Sequence, residues 1–263
     1  MTDFSSDLAL ATSDDAFLGG RLRILQPLEG HRAGLDAVFL AAAVPVSGGN
    51  SADVLDAGSG SGIVALAVAA RAGAVRVRGV EIVPELVSIA NLNAERNQMA
   101  GRVRFLEGDL TAPLATLKEV GLAPNTFDHV VANPPYEVIG RSRTSTMALR
   151  NRASAMAAGD LDRWARFLAA MARPGGLVTL VHRADALGEV LAVLGGRFGG
   201  LAVLPLHPRS GEPAHRVIVQ GRKASRAPMR LLPGMVLHEK DGTFRAEAAK
   251  ILRDGAPLEI SNP

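Results

Sequence analysis

The tetrapeptide Asn133-Pro134-Pro135-Tyr136 places two hydrogen-bond acceptors and an aromatic face on one short, stiff piece of backbone. An amine attached to an aromatic ring or a carbonyl is a poor nucleophile, because its lone pair is delocalised. The Asn133 side-chain oxygen and the Pro134 carbonyl can each accept one N–H of such an amine. That draws the nitrogen toward tetrahedral geometry and aims its lone pair at an electrophile. Pro135 stiffens the loop. Tyr136, the only tyrosine in the chain, offers a face on which a planar group stacks. The chemistry needs neither a metal nor a strong general base, since the proton can leave last. Read as structure alone, the same residues are a rigid turn that stops a strand.

A second constellation lies upstream. The run Asp56-Ala57-Gly58-Ser59-Gly60-Ser61-Gly62 follows a short apolar stretch and opens an Ala-rich helix. Such a turn lets a ligand approach the backbone closely and offers free N–H groups at the helix start. Glu81, followed by Ile82, ends the next strand, and Asp109-Leu110 follows the third. A carboxylate at Glu81 can accept both hydroxyls of a ribose, and one at Asp109 the amino group of an adenine. This is the arrangement expected of an adenosine site at the switch point of an α/β sheet. The dinucleotide fingerprint G-x-G-x-x-G requires glycine where this chain has Ile63, so a nicotinamide cofactor is the weaker alternative.

The pattern Asp-x-Gly-x-Gly-x-Gly resembles that of methyltransferases using S-adenosyl-L-methionine. Together with Asn133 to Tyr136, the chain from about Ala16 to Gln220 resembles the amino methyltransferases of the class I, Rossmann-like superfamily. Within that group, Asp15-Ala16-Phe17-Leu18-Gly19-Gly20 and the stretch from Gly30 to Leu40 look like the bacterial valine-tRNA adenine-N6 methyltransferase family. The resemblance implies an α/β fold with a seven-stranded, mostly parallel sheet, an antiparallel C-terminal hairpin and a small appended tail. It implies S-adenosyl-L-methionine as cofactor, with Asp36, Asp56, Gly58, Gly60, Gly62, Glu81, Ile82, Asp109, Leu110 and Asn133 at its site. Asp36 and its neighbours from Gly34 would lie near the methionine end. Asn133, Pro134, Pro135 and Tyr136 would act on the acceptor, the exocyclic N6 of an adenine in tRNA. The same tetrapeptide occurs in enzymes that methylate guanine N2 or a protein glutamine, and small-molecule or O-methylation is a further alternative. The glutamine enzymes typically carry a helical domain of ~70 residues before the glycine turn. Here 55 residues precede Asp56.

Regular alternation of strand and helix signals must position these residues. Strands are expected at Val54-Leu55, Val75 to Ile82, Val103 to Leu106, Phe127 to Ala132 and Leu177 to Val181. Helices are expected at Ile63 to Ala72, Glu85 to Asn97 after Pro84, Thr111 to Val120, from Asp160 onward, and at Ala184 to Leu194. Leu201 to Leu206 and Arg216 to Gln220 read as an antiparallel hairpin, and Ala246 to Leu252 as a short tail helix. The expected organisation is a disordered N-terminus over 1–13, a methyltransferase domain over 14–222 and a basic tail over 223–263. Trp164, with Leu161, Phe167, Leu168 and Met171, keeps helical spacing and reads as core.

Composition bounds the remaining possibilities. The chain has 263 residues, 48% hydrophobic and 21% charged, which excludes a mostly disordered protein. It has no cysteine, which excludes thiol catalysis and cysteine-held metals. Six histidines show no paired ligand spacing, and no metal is expected. Nothing reads as a secretory signal or a membrane span, so a cytoplasmic monomer or homodimer is expected. The net charge is +3, and nine of the 29 cations fall in two acid-free windows. Arg141, Arg143, Arg150 and Arg152 follow the tetrapeptide; Arg222, Lys223 and Arg226 belong to the later window, with Arg216 and Arg230. Guanidinium forks match phosphate oxygens, so both windows are candidate RNA contacts.

Overall fold

The computed structural model describes residues 10–29, 32–46, 51–135 and 160–260. Its first element is a hairpin of β1 (Thr12–Phe17) and β2 (Leu22–Pro27), which forms a separate two-stranded sheet. The chain is therefore already in regular structure at Thr12, short of the expected boundary at 14, while residues 1–9 lie outside the described residues. Helix α1 (Leu35–Ala42) follows, and then the expected alternation: β3 (Asp53–Ala57), α2 (Ile63–Arg71), β4 (Arg76–Glu81), α3 (Pro84–Arg96), β5 (Val103–Glu107), α4 (Leu114–Glu119) and β6 (Phe127–Ala132). Beyond the undescribed segment come α5 (Asp160–Met171), β7 (Ala172–Arg183), α6 (Leu187–Gly195), β8 (Phe198–His207) and β9 (Arg216–Lys223). Thr111 does not cap α4. Its N–H and hydroxyl both donate to Asp109 Oδ1, and Pro113 stands at the cap instead.

Strands β3 to β9 supply the seven expected strands, in the order β8-β9-β7-β6-β3-β4-β5. β3 to β7 are parallel, whereas β9 runs antiparallel to both β7 and β8. The tail extends this sheet to nine strands. β10 (Arg230–Leu231) and β11 (Met235–Val236) each pair parallel to β8, two-residue additions too short to leave a periodic signal. Helix α7 (Ala246–Asp254) closes the chain against α1. Arg71 fastens this corner: its guanidinium donates to the Gly255, Ala41 and Val44 carbonyls.

Two apolar clusters cover the two faces of the sheet. One gathers α1, α2, α3 and α7, and the other α4, α5 and α6. A parallel sheet buried on both faces needs near-continuous apolar strands, which is why Val54, Leu55, Val130 and Val131 are fully buried. One polar chain crosses this core. Gln220 Nε2 donates to Ala43 O (3.0 Å) and to Thr179 Oγ1 (2.9 Å), and Thr179 Oγ1 lies 2.7 Å from His129 Nε2. The Thr179 hydroxyl thus links the Gln220 amide to the His129 ring. Burial, reinforced by Arg222, pushes His129 down to about 3.

Helix α3 and its C-cap carry three asparagines that finish backbone pairing elsewhere. Asn91 donates to Phe105 O and accepts from Phe105 N, both at 3.0 Å, and so satisfies the outer edge of β5. Asn97 does the same for Arg23 on β2 (2.8 and 3.0 Å), and Asn93 for Leu25 (3.0 and 2.8 Å). The hairpin thus docks through side-chain amides that imitate a strand partner.

Candidate active site

The sheet changes direction of growth at β3. From there the chain builds outward to β4 and β5, then returns to lay β6 on the other side. The loops after β3 and β6 diverge at that point and leave a crevice at the carboxyl ends of the strands. A cleft of about 230 Å³ occupies it. Gly58 to Ser61 line it from β3, Glu81 and Ile82 from β4, Asp109, Leu110 and Thr111 from β5, and Asn133 and Pro135 from β6. The two constellations legible in the sequence therefore open into one space.

Each glycine of the turn has its own physical reason. Gly58 (φ 65°) leaves room for the Trp164 indole, which a Cβ would strike. Gly62 (φ 89°) leaves room for Phe105, whose ring would lie 2.5 Å from a Cβ. Gly60 faces open space, and its N–H donates to Glu81 Oε2 at 2.9 Å. Gly62→Ala is thus expected to destabilise the protein by about 3 kcal/mol or more, combining left-handed strain with overpacking. Urea denaturation measures this, and a change below 1 kcal/mol would mean that the Phe105 ring yields easily.

Glu81 is buried, and its second oxygen accepts from Val83 N at 3.0 Å. Burial pushes its carboxyl up, against the pull of these backbone donors. Each oxygen retains a second lone pair, so Glu81 can brace the glycine turn and still accept ribose hydroxyls. Asp56 is 1% exposed, accepts from Ala65 N at 3.2 Å, and is pushed up to about 8 by burial and by Glu81. Asp109 is exposed at the mouth and uses Oδ1 for Thr111. Ile82 is 44% exposed, with half-buried Leu110 also on the wall, so two apolar surfaces lie between the acidic residues. Carboxylates around an apolar slot suit a nucleoside. Ser59 Oγ is buried beside the turn without a hydrogen-bond partner, a further polar atom that a ligand could reorient.

Some expected residues are not brought together. Asp36 does not line the cleft; its carboxylate lies 2.7 Å from Arg216 Nε, while Ala33 and Ala37 face the space instead. Gly62 serves the packing of α2 on β5, and Pro134 is buried behind Asn133 and Pro135. Tyr136, Arg141, Arg143, Arg150 and Arg152 lie outside the described residues. The later basic window is carried away from the cleft, because β9 runs antiparallel. Arg216 stands opposite Arg183 at the cleft end, while Arg222 stands opposite Leu177, about 20 Å down the strand. Lys223 is committed there: its ammonium donates to Asn125 Oδ1 (2.7 Å) and to the Ala169 and Ala172 carbonyls, and burial pulls its pKa down. Arg226 is exposed at the same far end, in the segment that meets Gly199 and Gly200.

Other residues at the cleft escaped notice in the sequence. Trp164 is 3% exposed and belongs to the core, as expected, yet it also forms the cleft wall with Arg163. Pro27, Ala33 and Ala37 form the opposite wall, supplied by the hairpin and α1. Gln26 holds that wall in place. Its side chain donates to Asp15 (2.7 Å) and accepts from Ala33 N (2.8 Å). A buried Gln and small residues beside a proline give no periodic or motif signal. Among the described residues, no group of three or more His, Cys, Asp and Glu side chains is arranged to hold a metal, and no helix is long and apolar enough to cross a membrane.

Residues 54–176 match the family described as Methyltransferase domain. The tRNA1(Val) (adenine(37)-N6)-methyltransferase of Aeromonas hydrophila subsp. hydrophila is 31% identical over 220 residues, 81% of this chain and 85% of its own. A release factor glutamine methyltransferase of Chlorobaculum tepidum is 31% identical over 168 residues, 60% of this chain and 55% of its own. The crystal structure of a predicted O-methyltransferase from Agrobacterium tumefaciens superposes with a TM-score of 0.72 at 28% identity, covering 85% of this chain and 98% of that one. The chain belongs to the S-adenosylmethionine-dependent methyltransferases, in the family that includes the tRNA1(Val) (adenine(37)-N6)-methyltransferases.

Proposed function

We propose that the protein methylates the exocyclic N6 of an adenine in tRNA. One observation carries the reading: Asn133 and Pro135 open into the cleft that the glycine turn, Glu81 and Asp109 line. When bound, S-adenosylmethionine supplies a sulfonium methyl as the electrophile. Glu81 would hold it through the ribose hydroxyls and Asp109 through the adenine amino group, with Ile82 and Leu110 as the apolar surfaces for the ring. Asn133 Oδ1 accepts an N–H of the target amine, and the displaced proton passes to water after transfer. Arg141, Arg143, Arg150 and Arg152 follow the tetrapeptide directly in the chain, and contact the phosphates beside the splayed-out base.

A protein glutamine is the second reading, favoured by the Chlorobaculum relative. The match to the adenine enzyme is broader, 81% of the chain against 60%. Ahead of the glycine turn the described residues form a β-hairpin and one helix that wall the cleft. Transfer of labelled methyl from S-adenosylmethionine to unmodified tRNA, with nucleoside mass spectrometry, decides between them. N6-methyladenosine is the expected product. Methylated guanosine would change the base, and label in a release factor but not in RNA would establish the glutamine reading.

A further inference from the structure

The two walls of the cleft come from distant parts of the chain, and one buried side chain joins them. Asn93 is fully buried in α3. Its amide donates to Leu25 O at 3.0 Å and to Ser61 O at 2.9 Å, and accepts from Leu25 N at 2.8 Å. Ser61 belongs to the glycine turn and lines the cleft; Leu25 lies on β2, two residues before Pro27 on the opposite wall. Among the described residues, β1 is the only strand partner of β2, so the position of β2 over the sheet depends on side chains. Asn97, one helical turn on, makes the same paired contact with Arg23 but reaches nothing in the glycine turn.

We infer that Asn93 is a positioning residue for S-adenosylmethionine, fixing the distance between the glycine turn and the hairpin wall. The geometry separates its role from plain support of the fold. Both amides hold the hairpin, but only Asn93 orients a carbonyl of the turn. A turn whose Ser61 carbonyl has lost its donor is free to rotate its peptide units, and the wall carrying Pro27 loses its register with the turn. The effect falls on cofactor affinity. The acceptor contacts at Asn133 stand on β6, which Asn93 does not touch.

The inference rests on reading the cleft as the cofactor site, and one experiment separates the two. Trp164, the only tryptophan, lines the cleft, so its fluorescence reports binding of S-adenosylmethionine directly. Wild-type protein, Asn93→Ala and Asn97→Ala are titrated, and methyl transfer is then measured at saturating cofactor. Asn93→Ala is expected to weaken binding at least tenfold and to raise the KM for the cofactor equally, with kcat within about threefold of wild type. Asn97→Ala is expected to bind within twofold of wild type, although it too lowers the melting temperature. If Asn93→Ala does not fold, Asn93→Ser, which keeps a donor and an acceptor with shorter reach, carries the same expectation. Equal affinities in the Asn93 and Asn97 variants, or a loss confined to kcat, would overturn the inference. Failure of wild-type protein to bind would instead overturn the reading of the site.

Discussion

Asn133→Ala is expected to lower methyl transfer to RNA by about thirtyfold or more, roughly 2 kcal/mol of transition-state stabilisation. The dissociation constant for S-adenosylmethionine should stay within about twofold. Asn133 stands half-buried at the end of β6, where it lines the cleft from the side opposite β4 and β5. Its proposed contact strengthens as the amine nitrogen becomes tetrahedral, so its loss appears in kcat rather than in cofactor binding. Asn133→Asp should be at least as slow, although a carboxylate also accepts hydrogen bonds. A full negative charge there would hold the emerging ammonium product and repel the phosphates of the incoming strand. Single-turnover transfer and fluorescence titration of Trp164 measure the two quantities separately. Parallel losses in both would show that Asn133 mainly supports the loop.

The second large effect concerns protons in the cleft floor. Asp56 is raised from 3.8 to about 8, so folding takes up a proton over that interval. The stabilisation it gives is complete below pH 3.8 and is lost as pH rises through 8. Glu81, also raised by burial, slopes the same way. His129 has the opposite sign. Its pKa falls from 6.5 to about 3, so its stabilisation is complete above pH 6.5 and is lost as pH falls through 3. Between 3.8 and 6.5 the Asp56 and His129 slopes cancel. These two groups by themselves therefore leave stability level there and lower it above pH 6.5. The ion-paired Asp14, Asp53 and Asp185 are lowered, and their loss steepens the acid limb.

Asp56→Asn removes one of the two opposing terms. The variant should gain on wild type with rising pH, by on the order of 5 kcal/mol at pH 8, and the two should converge near pH 4. Urea denaturation at several pH values reads this directly. Parallel curves for the two proteins would mean that Asp56 titrates normally in the folded state. The same variant should change proton uptake or release when S-adenosylmethionine binds, because the carboxyls lie beside the proposed site of a cationic ligand.

Much of the candidate site was legible in the sequence. Glycine turns, prolines and strand-end carboxylates act through local geometry, so their places follow from type and spacing: Asp56 to Gly62, Glu81, Asp109 and Asn133 all stand at the carboxyl ends of consecutive sheet strands. The periodic elements from β3 to β9 were legible for the same reason, since burial on both faces leaves an apolar signature. The N-terminal hairpin was not. Its strand Thr12–Phe17 is polar and half-exposed, and although β2 buries Leu22, Ile24 and Leu25, its backbone is paired by the amides of Asn93 and Asn97, which leave no signal in the hairpin's own sequence. Trp164 read correctly as core but not as a cleft wall, because periodicity gives the face of a helix and not what that face meets.

The basic residues show the division most clearly. Order along the chain shows which cations lack acidic neighbours. Where they stand follows from the folded sheet. The antiparallel course of β9 leaves Arg216 at the cleft end, paired with Asp36, and sends Arg222 and Lys223 to the opposite end of the strands. Three acceptors there claim the Lys223 ammonium. The physical reason is one of range. Backbone preference and hydrophobic period act over a few residues and are written in order along the chain. Charge pairing, ring-to-glycine packing and amide docking join residues far apart in sequence, so they exist only once the sheet has fixed direction and register.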